Sequence, residues 1–562
     1  MRFKFLLPLL ALSVFAFANP DKNAEIFGIW TLLPPLIAIV LAFITKDVIL
    51  SLFIGVFSGT FLINIINENI FLALIKGFSD IVARIVASMA DSWNAGIMLQ
   101  VLCIGGVVAL VTKMGGTKAL ALWLSKKAKT GISAQISTWF MGILIFFDDY
   151  ANALIVGPIM RPITDKFKVS REKLAFIIDA TAAPIAGIAI ISTWVGLEIS
   201  LIKDGYNLIG VKEINSYGVF IETIPYRFYN IFMLFFIICT AFMAREYGPM
   251  LTAERRARNG EIHYGKININ DVEDKTLEAK DGIKLQSSNA IVPIMVLIIG
   301  AFVSFYFSGL GALEGEVLKS AQENPFSFNT FRETFGAADA SVALFQSALF
   351  ASIVAIFMGV WRKIFGVKEA IETWVKGWKT MIITIVILLL AWSLSSTIKE
   401  LGTSKYLVEL LSDTTPKFIL PTAIFILGSF ISFSTGTSYG TMGILMPLAI
   451  PLANAVGISS GLEGQELYSY TIISISAVLT GAIFGDHCSP ISDTTILSSM
   501  GAGCSHIDHV STQIVYAVSV GIIAIVIGYI PVALGISVWV SLVLGLIATW
   551  SLVRFVGKKV EL

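Results

Sequence analysis

Long apolar runs constrain this chain more than any other feature, because most of them have about the 20 residues that a helix needs to cross lipid. Candidate spans fall at 28–45, 47–66, 95–113, 172–203, 228–245, 290–308, 341–360, 381–399, 468–503, 512–530 and 531–555. Two further apolar stretches, 131–163 and 418–456, are too long for one crossing, and each carries a polar cluster at its middle. Segments 70–92 and 363–380 mix apolar with charged residues and read as interfacial helices. Only 14% of the 562 residues are charged, against about 25% in ordinary soluble domains. The formal net charge of +1 points to no partner, and no basic patch with interleaved aromatics suggests nucleic acid.

Charge placement sets the sidedness, because Lys/Arg-rich short loops stay in the cytoplasm. Lys126, Lys127 and Lys129 precede 131–163, and Arg161, Lys166, Lys168, Arg171 and Lys173 lie at or just past its end. Both ends are therefore cytoplasmic, and the stretch is a re-entrant hairpin. By the same logic 418–456 is a hairpin from the other side, followed by Glu463 and Glu466. The polar loop 246–289, with Arg255, Arg256 and Arg258, is cytoplasmic, the acid-rich loop 309–340 is outside, and Lys558 and Lys559 are inside. Eleven crossings plus two hairpins satisfy all of these placements. At the start, Arg2 and Lys4 precede the apolar stretch Phe5–Phe17, which ends in Ala16-Phe17-Ala18. That order reads as a cleavable signal peptide over 1–18.

The chain also repeats itself. Lys113-Met114-Gly115-Gly116-Thr117 resembles Lys399-Glu400-Leu401-Gly402-Thr403, Tyr150 with Pro158 matches Tyr439 with Pro447, and Ala183-Pro184-Ile185 matches Ser489-Pro490-Ile491. The first half starts outside and the second inside, so the repeats are inverted. The expected architecture is an all-α polytopic membrane protein: residues 28–245 are the first inverted repeat, 246–289 a polar loop, and 290–555 the second repeat plus a C-terminal span. Inverted repeats with broken helices mark secondary transporters, whose sites lie where the breaks meet. They suit alternating access better than a passive channel.

Four breaks carry the chemistry. They are Phe147-Asp148-Asp149-Tyr150-Ala151-Asn152, Asp179-Ala180-Thr181-Ala182-Ala183-Pro184, Ser432 to Gly440, and Gly485-Asp486-His487-Cys488-Ser489-Pro490-Ile491-Ser492-Asp493-Thr494-Thr495. Gly436, Gly440, Pro184 and Pro490 break the helices. The hydroxyls can satisfy backbone groups freed by the breaks, which for any single Ser or Thr is as good an account as a ligand role. The acids resist that account. An Asp at the centre of a spanning helix costs roughly 2.5–3.5 kcal/mol, yet five stand here: Asp148, Asp149, Asp179, Asp486 and Asp493. No Lys or Arg lies within the four clusters. The acids therefore hold protons or bind a hard cation, which favours oxygen ligands. His487 can relay protons or prop the broken helix. His506 and His509 fall near the cytoplasmic end, where they can be solvated or sense pH. Cys103, Cys239, Cys488 and Cys504 form no disulfide framework. Cys488 and Cys504 are about 24 Å apart along a helix, too far for one zinc ion.

These residues resemble the NhaC family of sodium/proton antiporters. The resemblance rests on Phe146-Phe147-Asp148-Asp149-Tyr150-Ala151-Asn152, on Gly436-Thr437-Ser438-Tyr439-Gly440-Thr441, and above all on the run from Gly485 to Ser499. It spans about residues 28 to 555. It implies a mobile transport unit against a scaffold, assembly as a homodimer, and a bacterial cytoplasmic membrane. It further implies sodium and protons as the transported ions, with no cofactor and no enzymatic activity. The expected ion-binding set is Asp148, Asp149, Asn152, Asp179, Thr435, Thr437, Ser438, Asp486, His487, Ser489, Asp493 and Thr494, with sodium at Asp148, Asp486 and Asp493. The rival expectation is a sodium- or proton-coupled carrier of a small carboxylate, of malate or lactate type, or of an amino acid. A membrane enzyme is disfavoured, because neighbours such as Asp486 and His487 do not face each other on a helix.

Overall fold

The computed structural model describes residues 20–560, apart from 46, 67, 126, 147–148, 263–279, 281, 404–405 and 407–415. The signal-peptide expectation for 1–18 and the role of Asp148 lie outside the described residues. Among the described residues, ten helices are long and apolar enough to cross a membrane, and up to eleven if Ser216–Tyr226 and Phe228–Met243, bent by 46°, make one span. The protein is thus an all-α, multi-pass membrane protein. A single short strand pair, Arg245–Glu246 antiparallel to Lys558–Lys559, is the described β-structure.

The stretch 172–203 is interrupted at its expected break, while Ser438–Ser459, expected as one arm of a hairpin, is itself long enough to cross. The mixed segments 70–92 and 363–380 form the helices Ile70–Ala90 and Val367–Thr380, neither of which is among those long apolar spans. Ser92–Lys113 packs on Ala340–Trp361 and Val367–Thr380. Its approach to the last is backbone to backbone: a Cβ on Gly105 would lie 2.7 Å from the Gly377 carbonyl. Small residues at such crossings replace the hydrophobic drive that lipid removes.

Ten helices position the site, and they are numbered in chain order: α1 Gly131–Leu144, α2 Asp149–Lys166, α3 Arg171–Ala180, α4 Val195–Leu208, α5 Phe228–Met243, α6 Leu420–Thr435, α7 Ser438–Ser459, α8 Gly464–His487, α9 Asp493–Ala502 and α10 His506–Ile523. α1 starts in a capping box between Thr130 and Ser133, which satisfies donors that a helix start leaves free. It stops at Ile145, whose N–H bonds back to Met141 and Gly142. The chain then re-enters helix at Asp149. α6 stops at Gly436, with φ +68°, where a Cβ would lie 2.6 Å from the Ile491 carbonyl. Only glycine meets both demands. The paired prolines Pro158 and Pro447 sit inside α2 and α7, where each removes an N–H from the helix ladder.

Candidate functional site

The breaks free carbonyls inside a buried core, and side chains from neighbouring helices answer them. Asn152 Nδ2 donates to Gly142 O at 2.8 Å and to Thr181 O at 2.7 Å, which pins the first break to the second. Asn230 Nδ2 donates to Pro184 O at 2.9 Å. Ser489 Oγ donates to Phe433 O at 2.7 Å and ties the fourth break to the third. His506 Nε2 donates to Pro490 O at 2.6 Å while its Nδ1 meets Ser499 Oγ at 3.1 Å. Gln513 donates to His487 O. Leaving such carbonyls unpaired would cost about 1–3 kcal/mol each. Asn152 Oδ1 is left without a hydrogen-bond partner among the described residues, so Asn152 and Ser489, expected to offer oxygens to an ion, also serve the backbone through their donors. Thr435 does likewise, to Ile431 O at 2.9 Å.

Three helices, α2, α7 and α9, begin beside one another at a cleft. It is lined by Asp149, Trp194, Gly436, Thr437, Ser438, Tyr439, Asp486, Ser492, Asp493 and Thr494, and has room of about 40 Å³. Trp194 packs edge-on to Tyr439 at 4.8 Å and forms part of its wall. Asp149 and Asp493 are the first residues of α2 and α9. An acid there is favoured by about 0.3–1 kcal/mol against the positive end of the helix, so the helix starts explain part of their presence.

Asp486 has no such excuse. It lies one residue from the end of α8, where the helix dipole is negative and disfavours a carboxylate. It is 5% exposed. Across the cleft, the start of α7 receives it: Ser438 donates its hydroxyl to Asp486 Oδ2 at 2.7 Å and its N–H at 3.3 Å. Asp486 Oδ1 has no hydrogen-bond partner among the described residues. Ser492 and Thr494 hydroxyls, 3.0 Å apart, add oxygens to the same wall.

Asp179 and His487, expected in the same ion set, do not line this cleft. They fall in a second buried cluster. Asp179 Oδ2 accepts from Gln513 Nε2 at 2.6 Å and from His509 Nε2 at 3.3 Å. His487 Nδ1 meets the Tyr229 hydroxyl at 2.6 Å. His509, expected near the solvated end, is fully buried. The reason is that α10 turns back over α3, with His509 and Gln513 one helical turn apart on the covered face.

A third feature has no counterpart in the sequence reading. Arg227 and Glu198 are both fully buried and pair at 2.7 Å. Arg227 also donates to Gly187 O, just past the second break, and to Thr223 Oγ1 at 3.0 Å. The guanidinium thus braces the non-helical stretch before α4. Its charge is already met by Glu198, so it offers none to an anion.

The two chain halves also meet without side chains. Gly157 in α2 faces Gly501 in α9, and a Cβ on Gly157 would lie 2.5 Å from the Gly501 carbonyl carbon. That contact lets the starts of α2 and α9 reach the cleft side by side.

Comparison with known proteins follows the same lines. A model of the Na+/H+ antiporter family matches residues 185–534. An uncharacterized protein of Haemophilus influenzae is 35% identical over 507 residues, covering 90% of this chain and 91% of that one. An uncharacterized Na(+)/H(+) antiporter of the same organism is 34% identical over 96 residues, 17% of this chain and 18% of that one. A malate-2H(+)/Na(+)-lactate antiporter of Bacillus subtilis is 34% identical over 97 residues, again 17% and 18%. Among solved structures, the YdaH transporter of Alcanivorax borkumensis superimposes with TM-score 0.54 at 14% identity, over 83% of this chain and 90% of that one. MtrF of Neisseria gonorrhoeae does so with TM-score 0.52 at 12% identity, over 82% and 84%.

Proposed function

Because the chain belongs to the Na+/H+ antiporter family, and is therefore a secondary transporter, we propose that it exchanges sodium ions for protons at the cleft, with Asp486 as the carboxylate that both ions use in turn. The observation that carries this reading is the half-satisfied Asp486: one oxygen held by Ser438, the other without a partner, at the disfavoured end of a helix. A charge so placed calls for a proton or a metal ion. Sodium would take the free oxygen together with Asp149, Asp493 and the hydroxyls of Thr437, Ser438 and Thr494, all of them hard oxygen donors. Protonation of Asp486 from one side would release it. Residues 28–245 and 290–555 would act as inverted repeats whose breaks meet here. The matched order of a helix pair followed by a broken helix, α1 to α4 and α6 to α9, supports that division. The protein would work in the bacterial cytoplasmic membrane, as a homodimer.

A second reading, a sodium-coupled exchanger of a small carboxylate, rests on a specific observation as well. Three helix starts face the cleft, and helix starts attract anions. Against it, the cleft's room of about 40 Å³, well below the roughly 300–1,000 Å³ of ligand pockets, fits an ion with water better than an organic solute. Asp149 and Asp493 also already meet two of the three positive ends, and Arg227 is committed to Glu198. Proteoliposomes with an imposed pH gradient and an internal pH dye separate the two. Sodium alone should collapse the gradient, and Asp486→Asn should not respond. A gradient that moves only after malate, lactate or an amino acid is added would replace the bare antiporter with the coupled carrier.

A further inference from the structure

We propose that Asp179 and His509 form a proton-holding site separate from the cation cleft, so that sodium and at least one exchanged proton travel on different side chains. The inference rests on the sodium–proton reading above and deepens it. Asp179 closes α3 and is fully buried. A buried carboxylate costs several kcal/mol unless its charge is met. Yet its partners here are an amide, Gln513 at 2.6 Å, and an imidazole, His509 at 3.3 Å. An amide would suffice to hold an aspartate in place. The imidazole adds a second basic group that can take up a proton. Asp179 Oδ1 and His509 Nδ1 are both buried without a partner among the described residues. One proton taken up from solvent, onto His509 Nδ1 or Asp179 Oδ1, makes the pair neutral overall, with the Nε2–H of His509 still donating to Asp179 Oδ2. Its release to solvent restores the carboxylate and the neutral ring.

Among the described residues, the surroundings offer Asp179 no lysine or arginine to meet its charge. Facing the pair are His487, Cys488 and Asp486 from α8 and the turn after it, and Tyr229 from α5, with no lysine or arginine among them. The cations on neighbouring elements are engaged elsewhere. Lys173 on α3 pairs with Glu246 at 2.9 Å, and Tyr516 on α10 donates to the same carboxylate. Arg256 pairs with Glu172 at 2.5 Å, Arg258 donates to Phe167 O at 3.1 Å, and Glu254 accepts from Ser170 N at 2.7 Å. Asp149 on α2 and Asp493 on α9 belong to the cleft. Gln513 joins the two sites mechanically, because the amide that holds Asp179 also caps His487 O, next to Asp486. Loading one site can thus be felt at the other.

The test compares two fluxes in proteoliposomes: sodium-driven proton movement, and exchange of radioactive for ordinary sodium, which moves no net proton. His509→Gln keeps a donor toward Asp179 but cannot titrate. In it, the proton that Asp486 carries in turn with sodium remains, so the protons moved per sodium should fall by about one while sodium-for-sodium exchange persists. Asp179→Asn should show the same split, and Asp486→Asn should lose both fluxes. Persisting sodium exchange also shows that each variant is folded. If both fluxes fall together in both Asp179→Asn and His509→Gln, the cluster is part of the cation site or the scaffold, and the proposal is overturned. If both persist unchanged, it is overturned as well. Should wild-type protein need a carboxylate before protons move, the sodium–proton reading fails, and the same split is then read against self-exchange of that solute.

Discussion

Ser438 meets one oxygen of Asp486 with both its hydroxyl and its backbone N–H. The backbone half of that contact survives any substitution, so the hydroxyl can be tested alone. A hydrogen bond to a charged group is worth about 1.5–3 kcal/mol, which corresponds to roughly ten- to a hundredfold in affinity. Ser438→Ala should therefore raise the half-saturating sodium concentration by about that factor, while Ser438→Thr keeps it near wild type. A sodium titration of proton flux reads the difference, and an unchanged half-saturation would remove Ser438 from the site. At this scale the sequence is legible where charge is costly. Asp486 stands out in an apolar run because nothing bland explains it. Asn152 and Ser489 stand out too, but their task does not, since one polar group serves a freed carbonyl or an ion equally well. Gln513 and Tyr229 are silent in the sequence. Each is an ordinary residue in an apolar helix until another helix brings it a partner.

The broken helices depend on partners contributed from elsewhere in the chain, and Arg227 is the plainest case. Its guanidinium joins Glu198 in α4 to the carbonyl of Gly187. Breaking a buried pair from one side costs about 3–5 kcal/mol, because the remaining charge is left alone, whereas replacing both partners with apolar residues is often neutral. Arg227→Met should lower the unfolding temperature in detergent sharply, and Arg227→Met with Glu198→Leu should recover much of the loss. A single variant as stable as wild type would mean that the pair does not brace the break. Helix positions were readable from apolar length, and breaks from Gly, Pro and Asp. The pairing of Arg227 with Glu198 was not, because Arg227 sits at a span boundary where a solvated cation is unremarkable. The interruption of 172–203 reads in the sequence as a local break. It proved to extend from Thr181 to Trp194 around one short helical turn, since the backbone there is held by Asn152, Asn230 and Arg227 rather than by its own ladder.

The strand pair between Arg245–Glu246 and Lys558–Lys559 puts the start of the polar loop and the end of the chain on one face. Charge placement had put both in the cytoplasm and the acid-rich loop 309–340 outside. Impermeant maleimide tests this directly. Cys103, Cys239, Cys488 and Cys504 are all buried, so background labelling should be low. Glu316→Cys should label in intact cells and Lys558→Cys only after lysis, and the reverse pattern would invert the topology. The general architecture was legible because lipid leaves a chain few choices. How the halves interlock was not, since that depends on surfaces facing each other across the fold. The Gly157–Gly501 seam is such a surface, one glycine from each half, touching without side chains. A mutation at either position cannot be absorbed by a rotamer, and a compensating change opposite has nothing left to give up. At this seam the two halves share one fate in descent: lineages can revise the cleft, the loops and the lipid face, but drift here is closed to both partners at once.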